Sequence, residues 1–489
     1  MYCEVGVHFF AVLSQKCLTN GRFCAGAFAA FGSESAPCNE RCHPHLIARR
    51  YHMKPETVKH TLFTLISQTC ESRQFLKNPK KDFTRNRKLP LQQVFKLILG
   101  MGGGTLNHEL LDYFAFSPET VTSSAFIQQR AKIMPEAFEH IFHQFARQND
   151  GDKRYRGYRL LAFDGSDLRI PTNSEDADSY FPGTNGQKPY SLLHLNALYD
   201  LLQHTYCDAA IQKRREFNER RALTDMVDAS PINDALLIAD RGLESYNVMA
   251  HIQEKGWKFL IRVRDDKIGI VRGLDLPDAD EFDFPVQLHL TRKQTNYTKH
   301  LFKNRNQYKC IPASAVFDYL PAKQRNVPLS FYSIAFRVAR FRLSDDSFET
   351  LLTNLDSDEF PSCELKKLYF RRWGIETSFR DLKYTIGLLH FHSKKTEHVL
   401  QEVFAALTMY NFSELITRSV VIQKGSKKFV YQANFSDAAY ICRQFFRSSM
   451  SPPIVEALIA RFISPIRPNR QRPRVLTGKS AVSFLYRVA

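Results

Sequence analysis

The hydrophobic rhythm of the chain changes along its length. From residue 54 to about 150, apolar positions recur at the three- and four-residue intervals of a helix. "LPLQQVFKLILGM" (89–101) shows this most clearly and stops at Gly102-Gly103-Gly104. "LNHELLDYF" (106–114) follows, then Ser117-Pro118 as a turn and helix start, then "TSSAFIQQRAKI" (122–133). Two short helices joined by a turn are expected here, and they suit either a helix-turn-helix unit or a plain bundle. Gln128, Arg130 and Lys132 on the second helix are side-chain types that meet base edges and phosphates. The preceding "KNPKKDFTRNRK" (77–88) is either a phosphate-contacting stretch or a solvated linker.

Near residue 156 the period shortens to that of strands. "YRLLAF" (158–163) is a nearly continuous apolar run, as in a central strand, and Asp164 ends it before Gly165-Ser166. "YSLLHLNALYD" (190–200) and "HTYCDAAIQ" (204–212) are spaced as a hairpin. "EFNERRALTDMVDA" (216–229) reads as a helix and "DALLIADRG" (234–242) as a buried strand ending at Asp240. "ESYNVMAHIQEKG" (244–256) and "KFLIRVR" (258–264) add a helix and a strand, so a mixed α/β layer is predicted. Alternating aromatic and β-branched segments over 265–350 predict a β-rich insertion, after which "ETLLTNL" (349–355) returns to the core.

One helix is expected over 363–386. Tyr369, Arg372, Glu376 and Lys383, at offsets of 0, 3, 7 and 14, fall within about 60° of one another around its axis. Leu368, Ile375, Phe379, Leu382 and Ile386 form the apolar stripe beside them. Asp381 lies roughly 140° from Glu376 and cannot share its task. Helices are predicted again over 396–421, 437–449 and 453–463, before a basic, Pro-broken tail at 467–479 that is either disordered or laid on a nucleic-acid backbone. Residues 1–52 are Cys-rich with no sustained period and read as a disordered or dispensable leader, with Met53 as an alternative start. "CNERCHPH" (38–45) offers half a zinc site but has no second ligand pair at finger spacing. The expected organisation is thus a leader (1–52), a helical DNA-binding domain (53–150), a catalytic core (151–264 and 351–395) carrying the insertion (265–350), and a helical C-terminal region (396–489).

Charge narrows the partner. A formal net charge of +18 at pI about 9.4 points to a polyanion, and nucleic acid is the default. Six cysteines precede residue 71 and four are scattered singly after it, which is no disulfide framework and implies a reducing compartment. No apolar run approaches the roughly 18 residues of a membrane span. A cytoplasmic protein is expected, associated with the nucleoid when on DNA.

Asp164 and Asp240 stand just past apolar strands, where α/β sheets gather ligands and catalytic groups, and Glu376 stands on the polar lip of the long helix. Like charges brought to ~4 Å repel by about 4 kcal/mol per pair at an effective dielectric near 20, so convergence of the three requires a cation or a proton. Hard oxygen donors select Mg²⁺, with Mn²⁺ as substitute, and two such ions can clamp both oxygens of a phosphodiester displacement. Arg372 and Lys383 would then hold phosphates, and Tyr369 could donate to a phosphate or stack on a base. Asp167 competes with Asp164 for the first position; Asp164 is preferred because it terminates the strand. A surface ion-pair network is the alternative for the helix taken alone.

"LLAFDGSD", "LLIADRGLESYN" and "YFRRWGIETSFRDLKY" resemble the three catalytic blocks of DDE transposases of bacterial insertion sequences, in the IS-four group whose third block reads Tyr-x2-Arg-x3-Glu-x6-Lys. The resemblance covers roughly 155–420. It implies an RNase H-like core with Asp164, Asp240 and Glu376 as metal ligands, and Tyr369, Arg372 and Lys383 as contacts to the transposon end. Arg241, inside the second block, joins the expected DNA contacts. It also implies cleavage at the element's inverted repeats, attack of the freed 3′-OH on target DNA, and a dimer assembled on DNA. The chain departs from the pattern by having no tryptophan within 265–350; its two are Trp257 and Trp373. Competing readings are a related nuclease that cuts without joining, a domesticated DNA-binding protein without chemistry, and two-carboxylate glycoside hydrolysis, which leaves the positive charge unexplained.

Overall fold

Thr105 and Thr122 accept hydrogen bonds from the backbone N–H groups of His108 and Ala125, which fixes the starts of two helices the sequence places only approximately. The computed structural model describes residues 54–466 except 86, 184–185, 187, 265–268, 323–326, 345–346 and 423–428. The leader with its half zinc site, Met53 and the basic tail lie outside the described residues. The N-terminal helices are α1 (Pro55–Ser72), α2 (Leu91–Gly100), α3 (Leu106–Tyr113), α4 (Ser123–Arg130) and α5 (Glu136–Gln148).

The helix-turn-helix option does not survive. The connection from Phe114 to Thr122 is much longer than the three- or four-residue turn of that unit. Arg130, expected at base edges, is fully buried, and its guanidinium reaches Gln401 Oε1 (3.1 Å), Glu402 Oε1 (2.7 Å) and the carbonyl of His398 (2.9 Å). Its partners lie some 270 residues away in sequence, so nothing local marks it as interior. Lys132, half-buried, donates to Oε1 of the buried Gln129, and Gln128 lies near Ser124 on the exposed side of α4.

The sheet is built from β1 (Arg159–Ile170), the two-residue β2 (Tyr180–Phe181), β3 (Tyr190–Asp200), β4 (Thr205–Lys213), β5 (Ala235–Ala239) and β6 (Lys258–Val263), with α6 (Glu219–Ala229) and α7 (Tyr246–Glu254) between the later strands. Its order is β4-β3-β1-β5-β6, with β3 antiparallel to both of its neighbours β4 and β1, and β5 and β6 parallel to β1. That order is the RNase H-like arrangement the resemblance implies. The insertion supplies β7 (Phe282–Thr291), α8 (Asn296–Leu301), β8 (Tyr308–Cys310) and β9 (Tyr332–Ser344), and β10 (Ser347–Thr353) joins them to β6, so one ten-stranded sheet results.

Side-chain alternation sorts the strands between two cores. Leu160, Ala162 and Leu168 of β1 pack on one face with the buried helix α11 (Thr396–Ser419), beneath α9 (Ser362–Phe370) and α10 (Trp373–Arg380). Leu161 and Phe163 pack on the other with Leu223, Val227 and Ile252 of α6 and α7. A single strand therefore presents Asp164 and Asp167, three residues apart, to opposite faces.

Candidate active site

β1 does not end at Asp164. It continues to Ile170 on β3, but its parallel pairing with β5 stops at Phe163↔Ala239. Asp164 is thus the first β1 residue beyond its β5 neighbour, and Asp240 is the residue that leaves β5 beside it. Each carboxylate is oriented locally: Gly165 N–H donates to Asp164 Oδ1 (2.9 Å) and Arg241 N–H to Asp240 Oδ1 (2.7 Å). Arg241 thereby touches the site through its backbone.

The helix expected over 363–386 is broken into pieces. Between α9 and α10 the backbone tightens to three-residue hydrogen bonds, Arg372 N to Tyr369 O and Ile375 N to Arg372 O. Residues Asp381–Ile386 then widen into a π-helical turn. Gly374 sits where this helix meets the β3–β4 hairpin, since a Cβ there would lie 2.8 Å from Leu201 Cδ2. The kinked path still delivers the four polar side chains to one place, though not by the single regular axis assumed from their spacing.

Arg372 is the hub. Only 5% exposed, it places Nη2 2.7 Å from Glu376 Oε1 and Nη1 3.9 Å from Asp164 Oδ2. Tyr369, also buried, donates to Asp240 Oδ1 (3.3 Å). Lys383 Nζ donates to Ser166 Oγ (2.7 Å) and to the Asp167 carbonyl (2.9 Å). Burial pushes the Asp164 carboxyl up to about 7 against the pull of Arg372, and Glu376 and Asp240 push it the same way. Burial opposes the Arg372 charge, but Tyr369, Asp240, Asp164 and Glu376 together raise its pKa. The expected DNA contacts Tyr369, Arg372 and Lys383 all bond within the site.

Two residues of this neighbourhood escaped the sequence reading. Glu349 of β10 is buried and pairs with Arg262 of β6 at 3.1 Å; burial raises its pKa while Arg262 lowers it, and Asp240 repels it. Their signal was faint, one charge at the edge of each apolar run. Trp257 is buried, with its indole N–H on Ile232 O, whereas Trp373 is partly exposed beside Arg372.

The donor set suits a hard divalent cation: it offers carboxylate oxygens from three elements, and burial more than mutual repulsion holds the Asp164 carboxyl up. Among the described residues, no three carboxylate, imidazole or thiol groups close on one point tightly enough to hold a metal ion. The Arg372 guanidinium lies among these carboxylates and balances part of their charge. Asp164 ionised in this setting costs stability, which gives a direct check. Its folded pKa lies above the unfolded value of 3.8, so Asp164→Asn should stabilise the protein in chelator, with a gain that grows from pH 4 to pH 7 and levels off beyond. A gain of about 1–3 kcal/mol at pH 8, read by thermal unfolding, is expected.

An RNase H-like sheet with clustered acids beyond adjacent strands defines a class of metal-dependent enzymes acting on nucleic-acid backbones. A family model described as a transposase DDE domain matches residues 155–412, more than half of the chain, and the chain belongs to that family. The transposase InsG of insertion sequence element IS4 from Escherichia coli is 23% identical over 341 residues, covering 67% of this chain and 70% of that protein. A cryo-EM structure of the piggyBac transposase synaptic complex with hairpin DNA aligns over 86% of this chain and 87% of that chain, at 11% identity and a TM-score of 0.44. The protein is a DDE transposase, an enzyme that cleaves DNA and transfers strands using divalent metal ions. Among the described residues, no helix is long and apolar enough to cross a membrane.

Proposed function

We propose that Asp164, Asp240 and Glu376 are the catalytic carboxylates, that they bind a pair of Mg²⁺ ions replaceable by Mn²⁺, and that the substrate is the inverted repeat at each end of the protein's own insertion sequence. The observation that carries this reading is the Arg372 guanidinium between Asp164 and Glu376, with Asp240 held beside it by Tyr369. Bound divalent ions would activate the attacking oxygen and stabilise the charge that develops on the phosphodiester.

The protein's own side chains do the rest. Among the described residues the buried Nε–H of Arg372 has no hydrogen-bond partner, which leaves it a donor for a phosphate oxygen once the side chain turns toward DNA. Lys383, whose Nζ bonds Ser166 and Asp167, exchanges these contacts for backbone phosphate when the end docks. Tyr369 and the Arg241 main chain keep Asp240 aimed. Water first cuts the element's end, and the freed 3′-OH then attacks a phosphodiester of target DNA, so that one bond is exchanged for another without an external energy source. Two copies of the chain, one per end, would keep both ends together, in a cytoplasmic complex on the nucleoid.

A duplex carrying the sequence that flanks the gene tests this reading, incubated with a supercoiled plasmid and Mg²⁺. Cut ends followed by joined products are expected. Cutting without joining would make the protein a nuclease, and binding without cutting would make it a repurposed DNA-binding protein. Lys383→Ala should weaken binding of the cut end and lower the salt slope of binding by roughly 1 per lost phosphate contact; an unchanged slope would confine Lys383 to its contacts with Ser166 and Asp167.

A further inference from the structure

We propose that His194 is a positioning residue for Asp164, acting from the reverse face of β1 through the backbone at Gly165. The proposal rests on the reading of Asp164 as a catalytic carboxylate and adds a part of the molecule that no motif marks. His194 lies on β3 directly opposite Asp167 of β1, and Asn196 lies opposite Gly165. The imidazole is buried, with Nδ1 2.8 Å from Asp167 Oδ1 and Nε2 3.1 Å from Glu219 Oε1, the latter an ion-pair distance off the hydrogen-bond line. Phe217 closes edge-on against the ring at 4.3 Å between centroids.

Gly165 makes this arrangement possible. A Cβ at that position would overlap His194 Nε2 and lie 2.5 Å from Glu219 Oε1. The imidazole edge and the Glu219 carboxylate therefore rest against the bare backbone one residue after Asp164. Gly165 N–H donates to Asp164 Oδ1, so a shift of the Gly165 peptide re-aims the catalytic carboxylate. On the front face Lys383 grips the next two residues, Ser166 and Asp167. In the DNA-free chain the segment 164–167 is held between a cation in front and an imidazole behind, with Asp167 bonded to both, by its carbonyl and its carboxylate, and the imidazole stays behind it when Lys383 turns to phosphate. Asp167, once a competitor for the catalytic role, is by this geometry a support.

The full chain with the flanking-sequence duplex tests the proposal. His194→Ala, His194→Gln and Glu219→Gln are compared with wild type for duplex affinity, single-turnover cleavage rate, half-saturating Mn²⁺ and unfolding midpoint. In His194→Ala, cleavage should fall about 10–100-fold and the Mn²⁺ requirement rise by a similar factor, the range for groups that orient metal ligands, with duplex affinity unchanged. His194→Gln, whose amide can span toward Glu219, should recover part of both. Glu219→Gln, which keeps the side chain's size, should show a smaller loss of the same kind and serves if the alanine variant does not fold. A wild-type rate and Mn²⁺ requirement in the folded variants overturns the proposal, as does a loss that merely follows the folded fraction. If Asp164→Asn still cleaves, the catalytic reading itself fails; if Asp164→Asn is inactive while His194→Ala is unaffected, only the clamp fails.

Discussion

Asp164→Asn, Asp240→Asn and Glu376→Gln should each lower end cleavage by more than about a thousandfold, or ~4 kcal/mol of transition-state stabilisation, while duplex binding persists. The amides keep the shape of the acids and remove the charge. Asp164, within β1, and Asp240, leaving β5, stand just past the point where the pairing of the two strands ends, and Glu376 reaches them across Arg372. Losing one charge from this set leaves two carboxylates, half of whose charge the guanidinium then cancels, and the affinity for a divalent ion falls accordingly. Binding of duplex draws on the basic surface as a whole and should survive the change. Cleavage and gel-shift measurements on the same preparations separate the two effects, and appreciable activity in any one variant would remove that residue from the set.

Arg130→Ala should destabilise the fold by about 3–5 kcal/mol, because it strands a buried carboxylate. Glu402 is buried, and burial would raise its pKa, yet Arg130 and His392 hold it down to about 2. The sign follows from that depression: the pair's contribution is fully present above the unfolded value of 4.5 and is lost as pH falls through about 2. Thermal or urea unfolding should show the loss at pH 7, with duplex affinity per folded molecule retained. Wild-type stability with lost sequence discrimination would instead return Arg130 to a DNA-reading role.

Much of the architecture is written in local pattern. The apolar runs at 158–163, 234–239 and 258–263 are central strands because both faces are covered, and the helices from 396 onward follow an apolar period. The carboxylates were legible because each follows a buried run or sits in a spaced motif. What the sequence hides is long-range or geometric. β1 continues past Asp164 because β3 keeps pairing where β5 stops, and a turn-like "GSD" does not reveal that. The three-residue bonds around Arg372 and the π-helical turn carrying Lys383 break the regular helix, so a regular 100° step misplaces side chains whose grouping it nonetheless foresees. Arg130 and His194 read as a surface cation and a strand histidine because their partners Glu402 and Glu219 belong to other elements.

Anomalous scattering from Mn²⁺ in crystals of the protein bound to a non-cleavable end duplex is the most direct test. Density shared by the Asp164 and Asp240 carboxylates and completed by Glu376 is expected, with Arg372 swung onto a DNA phosphate. Manganese bound elsewhere, or Arg372 still paired with Glu376 while the scissile phosphate lies in place, would contradict it.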